Sequence, residues 1–174
     1  MLKKSKNMVT VATLYKFVEI NDKIDLQKDI LTSCEKYNVK GTILLANEGI
    51  NGTISAQKFE INKVINSLTK DKRFEDLEIK YSLTDEQPFN RMKVRLKKEI
   101  VTMGDETINP AKISGEYVNP EDWNTLISDP EVLVIDTRNK YETEIGKFKN
   151  SIDPRTNSFR EFPKWVKNLK KEID

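Results

Sequence analysis

The chain has 174 residues, 33% of them charged and 37% apolar, with a formal net charge of +2. That length exceeds a common single domain of roughly 100 to 150 residues and falls short of two, and the composition is that of a surface-rich folded protein rather than a disordered one. With no histidine and a single cysteine, Cys34, it excludes the usual zinc sites, a Ser-His-Asp triad, a Cys-His pair and an intrachain disulfide.

No apolar run approaches the roughly 20 residues of a membrane span, and MLKKSKNMVT lacks the apolar segment of a secretory signal. A cytoplasmic protein that does not enter membranes is expected. The basic excess lies early: residues 1–110 carry 19 Lys and Arg against 16 Asp and Glu, and residues 111–174 carry 11 against 12.

In chain order, Val9 to Val18 is β-branched and aromatic and reads as a strand. IDLQKDILTSCEKY then sets Leu26, Ile30, Cys34 and Tyr37 at helical spacing, with Asp25 and Asp29 early and Lys36 late, as the helix dipole prefers. That register makes Cys34 a buried core thiol. Val39 to Ala46 and Ile50 to Ala56 read as two strands joined at Asn-Glu-Gly. Phe59, Ile61, Val64, Ile65 and Leu68 predict a second helix, and Leu77 to Leu83 a further strand. The order βαββαβ predicts an α+β, ferredoxin-like domain: a four-stranded antiparallel sheet with both helices on one face.

After DEQPFN, the segment RMKVRLKKEIV alternates Arg91, Lys93, Arg95 and Lys97 with Met92, Val94 and Leu96. As a strand it carries its cations on one side. Two readings stay open: lysines that keep an edge strand from pairing with another sheet, or a row of cations about 6 to 7 Å apart that tracks RNA phosphates. The stretch NEGING, Asn47 to Gly52, also has two readings. As a turn, Gly49 and Gly52 supply permissive backbone and Asn47 and Asn51 tolerate left-handed conformations, which leaves Glu48 unexplained. As a loop site, Asn47, Glu48 and Asn51 are its candidate residues.

Val101 to Trp123 is rich in turn residues and reads as a linker ending near Gly115, giving a first domain at 1–98, a linker at 99–115 and a second domain at 116–174. Asn119-Pro120-Glu121-Asp122 starts a short helix. VLVID, Val132 to Asp136, reads as a strand buried on both faces of a parallel sheet, and Ser158 to Leu169 as a helix whose start Pro163 disturbs. No second apolar strand of comparable strength follows VLVID, so the second domain is expected to be truncated, as an excised piece, a proteolytic fragment or the product of a split gene. Its orphan strand then pairs with another chain, giving a homo-oligomer, or docks on the first domain.

KGTILLANEGINGTIS, KVRLKKEIVTMG, YVNPEDWN, VLVIDTRNKYE and IDPRTNSFREFPKWV, in this order and spacing, resemble the rhodanese-domain tRNA uridine(34) hydroxylases over essentially the whole chain. The resemblance implies an acylphosphatase-like first domain, the opening of an α/β rhodanese domain, and oxygen-dependent 5-hydroxylation of wobble uridine in tRNA. Molecular oxygen is then the co-substrate, and no other cofactor is evident. It implies a rhodanese cysteine beyond Asp174, so these residues alone are expected to be inactive. Asp136, Arg138 and Glu142 match the Asp-x-Arg-x-x-x-Glu pattern as scaffold, and Arg155 and Arg160 are candidates for the active-site mouth. Asn150-Ser151 departs from the Gly-Ala found more often in related sequences. Arg91, Lys93, Arg95, Lys97 and Lys98 are the expected RNA contacts. The alternatives are a rhodanese-type sulfurtransferase and a noncatalytic RNA-binding fragment. Acylphosphatase activity is not expected, because NEGING does not resemble that enzyme's phosphate loop.

Overall fold

β-branched and aromatic residues at alternate positions draw Val9–Phe17 into strand β1, with Thr10, Ala12 and Leu14 buried and Thr13 exposed. The structure is a computed structural model that describes residues 8–101, 103–104 and 115–173, with side chains as far as Leu169. Contacts divide these residues into two units, 8–100 and 101–173. Of the expected linker, residues 102 and 105–114 lie outside the described residues.

In the first unit α1 (Lys23–Lys36) buries Leu26, Ile30 and Cys34, with Asp25 in its first turn and Lys36 in its last. Strands β2 (Lys40–Ala46) and β3 (Gly49–Ala56) form an antiparallel hairpin closed by Asn47 and Glu48. Helix α2 (Lys58–Leu68) starts at a capping box in which the Gln57 amide donates to Glu60 Oε2 at 2.9 Å. Its Ile61, Val64, Ile65 and Leu68 are buried. Phe59, counted with that stripe from the sequence, is instead 67% exposed, with the Lys63 ammonium 5.0 Å above its ring. One position outside the apolar arc is enough to turn a side chain to solvent. A 3-10 turn at Lys72–Phe74 buries Phe74 completely, and β4 (Glu78–Thr84) follows.

The sheet corrects the expected four antiparallel strands. It has five, in the order β4-β1-β3-β2-β5, and β5 (Met92–Leu96) lies parallel to β2. The ferredoxin-like order leaves the outer edge of β2 with unpaired N–H and C=O groups, and the basic segment satisfies them. Gly41 N donates to Arg91 O at 3.2 Å and Lys97 N to Leu45 O at 2.7 Å, so the ladder reaches both ends of that segment. Ala12, Leu14, Ile43, Leu45, Ile54 and Val94 form the sheet side of the core beneath α1 and α2. From α1 the Gln27 amide donates to Val94 O at 2.7 Å.

The second unit holds α3 (Pro120–Ser128), a single turn α4 (Lys140–Thr143) and α5 (Phe162–Ile173), which continues a 3-10 turn at Phe159–Glu161. Pro163 sits in the first turn of α5, where its missing N–H breaks no helical bond. Phe159, Phe162 and Trp165 stack successively at 5.4 and 5.8 Å. VLVID is not the expected doubly buried strand: Ile135 makes one isolated parallel bridge to Ile152, and Leu133 is 51% exposed. A strand needs neighbours on both edges to be buried on both faces, and one bridge supplies too little. Asn150 takes φ 65°, a conformation that glycine adopts without strain and asparagine tolerates, so the turn before Ile152 is kept despite the departure from Gly-Ala.

Candidate nucleic-acid interface

Strand alternation sorts β5 cleanly. Met92 and Val94 pack on the core, while Lys93 and Arg95, in register with Thr42 and Leu44 of β2, point to the face turned away from the helices. Arg91, Arg95, Lys97 and Lys98 are exposed and Lys93 is half-buried. None of Arg91, Lys93, Arg95 and Lys97 forms an ion pair with a described residue.

Arg73 behaves in the opposite way. Its guanidinium lies between Asp22 and Asp71, donating to Asp22 Oδ2 at 2.9 Å and to Asp71 Oδ2 at 2.6 Å. The Arg73 hydrogen bonds hold both carboxyls below their ordinary range, and the two acids raise Arg73. This Arg ties the entry of α1 to the turn before Phe74, with Nε, Nη1 and Nη2 all directed at the two carboxylates. The pairing joins residues about fifty positions apart, so no local signal in the sequence announces it.

The NEGING segment is divided between two tasks. Asn47 O and Glu48 O accept from Ile20 N and Val18 N, each at 2.9 Å, pinning the chain that leaves β1. Glu48 Oε1 accepts from Ile100 N at 2.6 Å and so holds the chain that leaves β5. Neither Asn47 nor Asn51 is left-handed, against the turn reading: of this segment only Gly49 has positive φ, at 152°. Gly52 is extended and serves close approach, since a Cβ there would lie 2.6 Å from Thr42 O. Asn51 belongs to β3, paired with Tyr15 and Leu44.

In the second unit, Arg138 forks onto Asp136, with Nε to Oδ1 at 2.9 Å and Nη2 to Oδ2 at 2.6 Å, and Nη2 also donates to Gly146 O at 2.7 Å. The guanidinium thereby holds the Asp136 carboxyl below its usual range. Glu142 closes a capping box with Asn139. Asp153 was not singled out in the sequence, yet it accepts from Thr143 Oγ1 at 3.0 Å and Arg155 N at 2.7 Å. Arg155 has φ 54°, and both Arg155 and Arg160 are exposed. No described hydrogen bond or ion pair joins their side chains to the Asp136–Arg138 loop.

Cys34 is fully buried, and burial, with the neighbouring Glu35 charge, pushes its thiol up to about 12. It is a packing group, not a nucleophile.

Residues 9–100 match the family model of the UPF0176 acylphosphatase like domain. A curated relative from Sinorhizobium medicae (strain WSM419), named tRNA uridine(34) hydroxylase, is 54% identical over 158 residues, which is 91% of this chain and 50% of the relative. The chain spans about half the length of that relative. An acylphosphatase from Coxiella burnetii aligns with 55% of this chain and 100% of its own, at 13% identity and a TM-score of 0.37. An acylphosphatase from Bacillus subtilis aligns with 51% of this chain and 98% of its own, at 8% identity and a TM-score of 0.39. With its sheet, its two covering helices and more than half its length within the family model, the chain belongs to the UPF0176 family and carries its acylphosphatase-like, ferredoxin-like α+β domain.

Proposed function

We propose that this chain takes part in oxygen-dependent 5-hydroxylation of wobble uridine 34 in tRNA, as the RNA-holding part of an oxidoreductase. The observation that carries the reading is the unneutralised cation row along β5: Lys93 and Arg95 on the strand, and Arg91 and Lys97 just beyond its two ends, form no ion pair with a described residue. Cations spaced along an edge strand suit a phosphate backbone, and phosphate contacts position RNA without reading its sequence. Identity of 54% to a protein named tRNA uridine(34) hydroxylase supports the substrate class.

In this reading residues 1–98 bind tRNA, 99–115 link, and 116–174 open a rhodanese domain, with Asp136, Arg138 and Glu142 as its scaffold and Arg155 and Arg160 at the mouth of its site. Lys98 joins the RNA contacts, and Asn47, Glu48 and Asn51 line the approach. The reacting thiol comes from outside these residues, since Cys34 is buried and protonated. Molecular oxygen is the co-substrate, the cytoplasm the compartment, and self-association goes through the second unit. No helix among the described residues is long and apolar enough to cross a membrane.

The test is tRNA binding as a function of salt. The chain should bind tRNA, and Ser at Arg91, Lys93, Arg95 and Lys97 together should flatten the slope of log affinity against log salt by about 3 to 4. An unchanged slope would reduce the row to a solvated sheet edge and sink the reading.

A further inference from the structure

Helices that lie side by side close to about 8 to 10 Å when large side chains interlock along their seam. Where α1 and α2 face each other, several of the side chains are instead short or polar: Thr32 and Ser33 on one helix, Asn66 and Ser67 on the other. Such groups do not fill the seam, and a cavity of about 680 Å³ stays open between the helices, wholly within the first unit. Its floor is apolar, formed by Ile30 of α1 with Val64, Ile65 and Leu68 of α2. Its mouth opens to solvent, because Thr32, Lys36, Lys63, Asn66, Ser67 and Lys70 line it and all six are exposed.

The wall of this cavity carries charge that nothing in the chain neutralises and a hydroxyl that nothing satisfies. Lys36, Lys63 and Lys70 form no ion pair with a described residue. Of the two acids on the wall, Asp71 is bound to Arg73, which leaves Asp29 alone against three ammoniums. The Lys36 ammonium sits 5.5 Å from the centre of the Tyr37 ring, which lines the cavity as well. Ser33 Oγ is buried and meets no hydrogen-bond partner. A buried hydroxyl without a partner costs stability, and a ligand atom in the cavity satisfies it.

We infer that the cavity binds a nucleoside monophosphate, with the phosphate among the lysines at the mouth and the base on the apolar floor. Small-molecule sites commonly enclose about 300 to 1,000 Å³ and set a few polar groups around an apolar floor, as here. The charge of the wall selects an anion. The hydroxyls and the amide select its body: a heteroaromatic ring offers acceptors and donors to Ser33, Asn66 and Ser67 along its edge and an apolar face to the floor, whereas an acyl chain leaves them unpaired. The inference is independent of the cation row on β5, none of whose residues lines this cavity.

The experiment is isothermal titration of the full chain with AMP and with UMP, and with inorganic phosphate as the control. At least one nucleotide should bind at a single site, at least tenfold more tightly than phosphate. Ser67→Trp, at an exposed position, fills the mouth and should abolish that binding with the melting temperature unchanged. Lys36→Ala with Lys63→Ala, both exposed, should weaken it about tenfold through the lost charge-assisted hydrogen bonds. Ser33→Ala should weaken it about fivefold and leave the melting temperature unchanged or higher, since it removes an unsatisfied hydroxyl; a purely structural serine would lower the melting temperature instead. Three results would each overturn the site: no binding of either nucleotide, binding of phosphate as tight as that of the nucleotides, or nucleotide binding that survives Ser67→Trp and is lost with Lys93→Ser and Arg95→Ser.

Discussion

Ile43, Ile50 and Ile54 in the first unit and Leu133, Val134 and Ile135 in the second are the same kind of residue in similar apolar runs, yet the first three are fully buried and Leu133 is 51% exposed. The difference lies in their neighbours. In residues 8–100 each central strand is paired on both sides and roofed by a helix, so every inward side chain meets others. In the second unit the described residues that are buried are polar: Asp136, Thr143, Ser151 and Thr156. Asp136, Thr143 and Ser151 have local side-chain partners, Arg138 for the first, Lys140 O and Asp153 for the second and Phe148 O for the third. A buried large apolar side chain contributes about 1.5 to 3 kcal/mol and a net hydrogen bond about 1. The buried side chains of the first unit are therefore mostly packing groups, and the buried side chains described in the second are polar.

The contrast is broken most directly at Phe74, fully buried in the core of the first unit. Phe74→Ala should cost about 3 to 5 kcal/mol in urea denaturation, and a cost below about 1 would mean that the core is no better packed than the second unit. Next comes Glu48, which clamps Ile100 N from 52 positions away. Glu48→Ala should cost about 1 to 3 kcal/mol, and Glu48→Gln, which retains an acceptor, should recover much of it.

The second unit is sharpened by acid. Asp136 titrates below its ordinary range because Arg138 hydrogen-bonds its charged form. A depressed folded value means that the pair's contribution is complete above the unfolded pKa of about 3.9 and is lost as pH falls through the folded one. Carboxyl-carbon NMR should find the Asp136 midpoint lower than that of a solvated aspartate, and Arg138→Gln should move it up. The smallest effect is expected at Leu133. Leu133→Ser should change stability by no more than about 0.5 kcal/mol, and a loss above 2 would show that VLVID is covered after all.

The order of six elements, β1 through β4 with both helices, was legible because each carries its own period: alternation for the strands, and Leu26, Ile30 and Cys34 at helical spacing for α1. The cation row was legible for the same reason. Its partner strand was not, because parallel pairing of β5 with β2 depends on an edge left open by three other pairings. VLVID was legible as an apolar run without a second strand of comparable strength, but not its one parallel bridge to Ile152, because an apolar run states what would be buried and not what pairs with it. The two tasks of NEGING depend on contacts between residues dozens of positions apart.

By itself the sequence determined the periods, the helix ends, the buried thiol of Cys34 and the kinship carried by its motifs. Tertiary structure alone decided that β5 extends the sheet, that Arg73 is ion-paired with two acids while Arg95 has no ion pair among the described residues, and that Tyr15, Asn51, Leu44 and Arg95 fall in one row. Periodicity is written in neighbouring residues, because side-chain direction follows the local backbone. Strand register is a property of the closed sheet, set only when all five strands have paired.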